Sequence, residues 1–573
     1  MQLARRVRFP AIFCALAVLL CELISRPYAN MGISDDGPYI LMAQHLATTG
    51  HIAYNGWAAP MLGWQLYLGA AFIKLFGFSL TTVRMSTLLV AVLMAFVLQR
   101  TLVRACISER NAIIGTLALV LSPLYLKLSV TFMSDITGLF AIVLCLYGCL
   151  RALRASSSRA AIAWIAFAAL TNALCGTSRQ IAWLGVLVMV PSALWLLRAR
   201  RRVLLSGALF TLVGDLFVLA SLHWLKFQRY HVTEHLIPKT YSVGQGIWDL
   251  AISYVDISFI LLAIVILFSP QLFKLRPRVI ALLFMLFIGY CFVAIRPNRL
   301  RGHFPLEPIL STWGNVHGVF EWAFMKGVPS IFLSTDMRVL LTFVSFGGML
   351  GLIVSLLRNR RSALAGDSHA VLSWAQLGVL LAPFTLAYSL LLFPRAASTG
   401  VGNRYLLAML VVAVVCLVRY YQERIQSRLP LAGVLMVFIM AIYGMVVVHN
   451  SFAFYRARVE IAAELASAGV PNTAVDNGWE YNLLVELQHA NHLNDPHLRT
   501  SENGYIPPPS LPAGTCFMPM HEVTIHIRPI YGIAFSPDVC YGPAPFTPVH
   551  YSRWPYSTPG TLYAVRYLPR AKP

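Results

Sequence analysis

Charge is what this chain has least of. Only 12% of its 573 residues are Asp, Glu, Lys or Arg, about half the share found in an ordinary soluble domain. That scarcity, beside 58% hydrophobic residues and a mean hydropathy of +0.67, excludes a soluble globular or disordered chain and implies a polytopic membrane protein. Acidic residues are scarcer still, 23 against 45 Lys and Arg, so any pair of adjacent carboxylates needs a reason. The chain lacks Cys-x-x-Cys pairs and His-rich tracts, which excludes the common metal-binding and dithiol signatures. Cys14, Cys21, Cys106, Cys145, Cys149, Cys175, Cys291 and Cys416 lie in or beside apolar runs and read as packing residues; only Cys516 and Cys540 stand in a polar region. No internal repeat or inverted half is evident, which speaks against a repeat-built transporter.

The net charge of +22 does not point to nucleic acid, because the basic residues cluster in short loops between apolar runs. These runs are expected to cross the membrane at 9–24, 80–99, 111–129, 136–150, 160–177, 180–197, 203–225, 251–269, 279–295, 338–357, 371–393, 405–420 and 430–449. That makes about 13 spans, each near the ~20 residues that cross a hydrocarbon core. The run after Arg5, Arg6 and Arg8 reads as a retained first span and not a cleaved signal peptide, since no small-residue cleavage site follows. Alternate loops carry Arg100/Arg104/Arg110, Arg151/Arg154/Arg159, Arg198/Arg200/Arg201/Arg202, Lys274/Arg276/Arg278, Arg358/Arg360/Arg361 and Arg419/Arg424/Arg428. Their common face is assigned to the cytoplasm. The N-terminus is then inside and the C-terminus outside, in the inner (plasma) membrane of the cell.

Residues 61–77 are apolar enough to cross, yet crossing would invert every later arginine cluster. They are therefore expected to lie along the outer surface, with Lys74 at the polar edge. Residues 160–197 as one helix would be about 57 Å long, so a turn is expected at Thr177-Ser178-Arg179-Gln180. The first outer loop, 27–79, then holds two surface helices, the first over about 38–48. Residues 1–450 form the membrane domain and 451–573 a small mixed α/β domain outside. That domain opens with a polar helix at about 452–468, has a second helix near 480–490, and carries strands at Cys516-Phe-Met-Pro-Met and Leu562-Tyr-Ala-Val-Arg-Tyr. In an oxidising compartment Cys516 and Cys540 suit a disulfide, and two free thiols fit the sequence equally well.

Ionisable residues at a membrane edge are costly and usually functional. Those expected on the outer face are Asp35 and Asp36 after the first span, Asp135, Arg179, and Arg404 with Tyr405. Each has a plainer reading: helix N-capping for the aspartates, snorkelling for the arginines, an aromatic belt for Tyr405. Together they suit a chemistry. A carboxylate can take a proton from an acceptor hydroxyl, and arginines can hold a phosphate as it departs. A sugar on a polyprenyl phosphate meets both conditions, and a single displacement at its anomeric carbon inverts the configuration. The competing class is a transporter or lipid flippase, for which Asp215 is the one clear mid-span acid.

Several stretches resemble the GT-C membrane glycosyltransferases, in the branch of the protein O-mannosyltransferases and aminoarabinose transferases. Ser34-Asp35-Asp36-Gly-Pro-Tyr39, with Ala43 and Gly50 downstream, is similar to that family's first-loop Asp-Glu pattern. Leu75-Phe-Gly77 with Val83-Arg84-Met-Ser86 resembles its approach to span two, and Ser122-Pro123 with Phe132-Met-Ser-Asp135 its Ser-Pro and Met-x-Asp pair. Gly402-Asn-Arg404-Tyr405-Leu-Leu resembles its late Arg-Tyr-Leu segment. The likeness runs over about 30–200, thins from 200 to 390 and returns near 402. It implies a GT-C-like fold, Asp35 as catalytic base with Asp36 at the adjoining acidic position, Asp135 at an acceptor or metal site, and Arg404 on the donor phosphate. A divalent metal, with Asp36 and Asp135 as candidate ligands, is left open. The implied partners are a polyprenyl-phosphate sugar, a glycan, lipid or protein acceptor, and membrane lipid, with no nucleic acid. The chain departs from the pattern in three places: Asp36 replaces Glu, Trp57-Ala-Ala-Pro60 replaces Lys-Pro-Pro, and no proline follows Arg404-Tyr405-Leu406.

Overall fold

The computed structural model describes residues 2–57, 63–232, 241–295, 335–358, 372–398, 401–493, 523–536 and 541–567. The expected outer loop at 296–337 falls almost wholly outside them, as do Cys516, Cys540 and the strand expected at Cys516.

The first helix, α1 (Gln2–Ser25), is followed by two short ones, α2 (Asp36–Thr49) and α3 (Gly63–Phe76). At 1.5 Å per residue each is about 21 Å long, too short to cross a ~30 Å core. Leu66, Gly69 and Ala70 turn α3 inward, while Tyr67, Leu75 and Phe76 stay exposed. This is the division expected of a helix lying on a membrane surface. Then come α4 (Leu80–Arg104), α5 (Glu109–Val120), α6 (Pro123–Ser129), α7 (Ser134–Leu153), α8 (Ser158–Cys175), α9 (Val190–Leu196) and α10 (Arg201–Leu225). They are followed by α11 (Val243–Ile260), α12 (Leu262–Val265), α13 (Pro277–Ile295), α14 (Thr335–Arg358), α15 (Trp374–Ala396), α16 (Leu407–Arg424) and α17 (Leu431–Ser467).

Among the described residues eight helices are long and apolar enough to cross a membrane, or ten if each of two bent pairs is one span. Shorter apolar helices occupy Phe9–Ser25, Gln180–Leu196 and Pro277–Gly289. A helix thus stands at every position where a span is expected, although only these eight to ten meet the length. Two of the expected straight spans are bent. One breaks by 67° between α5 and α6, where Ser122 caps the new helix through the Tyr125 amide and Pro123 supplies no amide to the old one. The other bends by 74° between α11 and α12. The expected turn near Arg179 is present as 3₁₀ turns, Gly176–Ser178 and Gln180–Trp183, with Arg179 extended between them. Buried Asn172 staples it: its amide donates to the Ala141 and Ala182 carbonyls and its oxygen accepts from Val186 N.

The chain does not break at 450. Helix α17 runs unbroken for 37 residues, about 56 Å, so the polar helix expected at 452–468 is the continuation of the last apolar one. Beyond it lie β1 (Val475–Asp476), α18 (Gly478–Ala490), β2 (Tyr531–Ala534), β3 (Tyr541–Pro543), β4 (Val549–Arg553) and β5 (Tyr556–Tyr567). The sheet runs β1-β2-β5-β3, with β4 also on β5; only the β1–β2 pair is parallel. Leu562-Tyr-Ala-Val-Arg-Tyr lies within β5, as expected of a strand. The unit is anchored to α17 by buried Arg458, which donates to Glu480 Oε2 at 3.1 Å and to Asn477 Oδ1 at 3.1 Å. Tyr455 Oη adds a bond to Glu480 Oε1.

Candidate active site

The two aspartates of the first loop have separate surroundings. Asp36 is wholly buried and opens α2. Its Oδ2 accepts from Arg84 Nε at 2.7 Å and from Phe132 N at 3.3 Å. Its Oδ1 accepts from Ile33 N at 2.7 Å and Arg84 Nη2 at 3.0 Å. An ionised carboxylate has about four lone-pair positions, and all are taken. Arg84 is equally buried and also donates to the Ala29 and Met31 carbonyls. Asp36 therefore ties the first loop to α4 and to the start of the Asp135 turn, and it has no lone pair left for substrate or metal.

Asp35 stands at the N-cap position of α2 yet makes no capping hydrogen bond. Its carboxylate is about a fifth exposed, and its Oδ2 lies 3.5 Å from Arg404 Nη1. The backbone just before it is strained: Ser34 has φ +55°, a region L-residues seldom occupy. Burial pushes the Asp35 carboxyl above its ordinary range; the Arg404 guanidinium opposes this, the Asp135 charge adds to it, and the nearby Trp57 side chain opposes it.

Asp135 is buried in the first turn of α7, and its Oδ1 accepts from Arg179 Nη1 at 2.6 Å. Its Oδ2 is buried without a hydrogen-bond partner. Arg179 reaches it by lying across Gly138, where a Cβ would sit 2.8 Å from its Cβ and Cδ. Helix α3 closes over the same turn: Gln65 donates to the Phe132 and Met133 carbonyls and accepts from Thr137 Oγ1.

Arg404 lies in a 3₁₀ turn, Asn403–Leu406, that leads into α16. Its Nη2 donates to Tyr405 Oη at 3.3 Å, and Tyr388 Oη donates to the Tyr405 carbonyl at 2.8 Å. Three guanidiniums surround the Tyr405 ring: Arg179 and Arg404 each at 5.1 Å from its centroid, and Arg395 at 4.4 Å. Arg395, in the last turn of α15, was not singled out by sequence reasoning. The signal was present, since it is an arginine at the end of an apolar helix on the face opposite the arginine clusters. The fold thus gathers Asp35, Asp135, Arg179, Arg404 and Tyr405 at one place, adds Arg395, and sets Asp36 behind them as a support.

Three arginines here face two aspartates, so the described residues leave a surplus of positive charge. Such a site attracts an anion, and planar guanidinium forks suit phosphate oxygens. A metal fits less well. Asp35 and Asp135 each already lie against a guanidinium, Asp36 is spent, and among the described residues no group of three His, Cys, Asp or Glu gathers. No step below depends on one.

No protein-family model and no curated protein matches the chain. Solved structures do. ArnT from Cupriavidus metallidurans bound to undecaprenyl phosphate is 14% identical over 97% of each chain, with a TM-score of 0.41. The Archaeoglobus fulgidus oligosaccharyltransferase in complex with Zn and sulfate is 13% identical, over 95% of this chain and 72% of its own, with a TM-score of 0.42. The S. cerevisiae protein O-mannosyltransferase Pmt1-Pmt2 complex bound to the sugar donor is 12% identical over 41% of this chain and 35% of its own, with a TM-score of 0.32. These are structures to which the chain is similar in fold.

Proposed function

We propose that the chain is an integral-membrane glycosyltransferase that moves a sugar from a polyprenyl phosphate to an acceptor hydroxyl outside the cytoplasm, with inversion. The observation that carries this is Asp35: a partly accessible carboxylate, free of capping duty, beside Arg404 at the edge of an arginine cluster. Asp35 takes the acceptor O–H proton. The acceptor oxygen bonds to the anomeric carbon as the bond from that carbon to the phosphate oxygen breaks. The electron pair leaves on the phosphate, whose growing charge is met by Arg404 and its neighbours Arg395 and Arg179. Single displacement inverts the centre.

A lipid-borne donor is supported by a groove of about 450 Å³ along α15, lined by Leu377, Leu381, Thr385, Ser389, Val412 and Cys416 among others. It is predominantly apolar, and Ser389 lies about 9 Å along the helix from Arg395. None of the arginines lines the groove itself; its apolar wall would suit a lipid chain on the same helix that carries Arg395. Asp215, the residue that would favour a transporter, is half-buried at the edge of the exposed face of α10, beside Leu212, Leu216 and Leu219. The test is transfer of radiolabelled sugar by the purified protein from a panel of polyprenyl-phosphate hexoses and pentoses. Label released or transferred only by protein with Asp35 intact supports the reading; turnover of nucleotide sugars alone would overturn it.

A further inference from the structure

The Asp35 turn is gripped from the far end of the sequence. Five residues on either side of α2 or in its first turn meet α18 or the segment just after it. Gly32 lies so close to the Glu480 carbonyl that a Cβ there would sit 3.1 Å from the oxygen. A Cβ on Gly37 would touch Leu484, and one on Gly56 would sit 3.2 Å from Leu493 Cβ. The Trp57 and Trp479 rings pack with centroids 5.3 Å apart, inclined by 33°. The backbone joins in, with Leu493 N donating to the Asn55 carbonyl. The Asn55 side chain in turn donates to the Pro38 carbonyl in the first turn of α2.

Two features give this grip a consequence. The Ser34 backbone is held in a region it would leave if unsupported. The Trp57 indole N–H is buried, closes no hydrogen bond of ordinary geometry, and lies near enough to the Asp35 carboxylate to favour its charged form. A buried N–H without a partner is costly, and a carboxylate is the acceptor at hand. Helix α18 is itself fixed by the buried Arg458–Glu480 pair on α17, so the support traces back to the membrane bundle.

We propose that Trp479, through Trp57, is a positioning residue for the base Asp35, so that the C-terminal unit completes the active site. This rests on the glycosyltransferase reading above. Trp57 steadies the Asp35 carboxylate, Trp479 backs Trp57, and close packing of Glu480 on Gly32 sets the turn. A misplacement of about 1 Å at a reacting group can cost on the order of a hundredfold in rate.

The experiment uses the full-length purified protein and the polyprenyl-phosphate sugar that wild type turns over. Trp479→Ala is expected to lower kcat at least about tenfold with the donor KM within about twofold of wild type. Trp479→Phe, which keeps a ring against Trp57, is expected to restore most of the rate. Amide hydrogen exchange over residues 31–37, which needs no substrate, is expected to quicken in Trp479→Ala and not in Trp479→Phe. A structural role alone would lower the yield of folded protein and leave kcat per folded molecule unchanged; that result overturns the proposal, as does unaltered exchange at 31–37. Asp35→Asn separates the two levels. If it is inactive while Trp479→Ala matches wild type, only the positioning role falls; if it turns over at the wild-type rate, both fall.

Discussion

Asp35→Asn is the substitution that puts most of this reasoning at risk. Asparagine keeps the shape of the side chain and one acceptor oxygen but cannot take a proton. The contact to Arg404 is long, 3.5 Å, and Arg404 keeps its other support from the Tyr405 hydroxyl and ring. Donor binding should therefore survive. General-base help is typically worth 10²–10⁴-fold, and the arginines that stabilise the leaving phosphate are untouched. We expect a fall in kcat of at least about a hundredfold, near 2.7 kcal/mol of barrier, with the donor KM within about twofold. Stability should move the other way. Because burial holds the Asp35 carboxyl above its ordinary range, the folded state disfavours its charge. That cost is absent in acid, below the ordinary aspartate value, and fully present once the pH exceeds the raised one. The variant should thus melt at or above the wild-type Tm at neutral pH, and the two should converge in acid. The wild-type kcat should fall on the acid side at a pH above the usual aspartate range. The assay is single-turnover transfer of labelled sugar with parallel melting curves. A variant that transfers at the wild-type rate, or that loses rate only in proportion to lost folded protein, refutes the assignment.

Asp36→Asn should fail differently. Leaving Arg84 buried beside a neutral partner costs about 3–5 kcal/mol, so folded yield and Tm should drop together; a stable but inactive protein would show that Asp36 does chemistry. Arg404→Lys keeps the charge and loses the fork, and should raise the donor KM about tenfold or more, read from donor titrations; unchanged donor kinetics would remove Arg404 from the phosphate site. Gly138→Ala puts a Cβ against the Cβ and Cδ of Arg179 and should lower the Tm and weaken donor binding several-fold in the protein that folds; wild-type affinity in that folded protein would show that Arg179 is not needed there. A topology reporter fused at Pro573 should report the non-cytoplasmic side, and a cytoplasmic signal would invert the assignment made from the arginine loops.

Much of the bundle was legible because apolar run length and arginine alternation act locally. The bend at Ser122-Pro123 was written in its residues, although the expectation was a straight span. The bend between α11 and α12 has no such marker beyond packing. The unbroken α17 was hidden by a change of medium: polarity switches near residue 450, but nothing there stops the backbone from continuing as helix. The site was legible one residue at a time and not as pairs. Asp35 and Arg404 lie in different stretches that each drew attention, yet nothing in either stretch says that they meet. Asp36 and Arg84 likewise stand in two separate motifs, and the fold joins them in one buried ion pair. Sequence reasoning put Asp35 first as the base and gave Asp36 the adjoining acidic position with a candidate metal-ligand role; nothing in the sequence pairs Asp36 with Arg84. Burial and the direction of each side chain separate the two aspartates.

The arginines carry the deeper lesson about where function enters. Most arginines of residues 1–450 follow a simple rule in the sequence and cluster in alternate loops between the apolar runs. Arg84, Arg179, Arg395 and Arg404 break that rule, since each stands at the Asp35 end of an apolar helix. A charge placed against the prevailing field of the chain needs a local partner to offset its desolvation. Arg84 meets Asp36 and Arg179 meets Asp135, both by short bonds. Arg404 meets Asp35 by a long one, and Arg395 has its Nε buried without a partner. The long Arg404 contact and the buried Arg395 Nε both lie beside the Tyr405 ring, next to the only one of these three carboxylates that remains partly exposed. Under the proposed function, an incoming phosphate would offset the arginine charge there, and its arrival would bring the sugar it carries to Asp35.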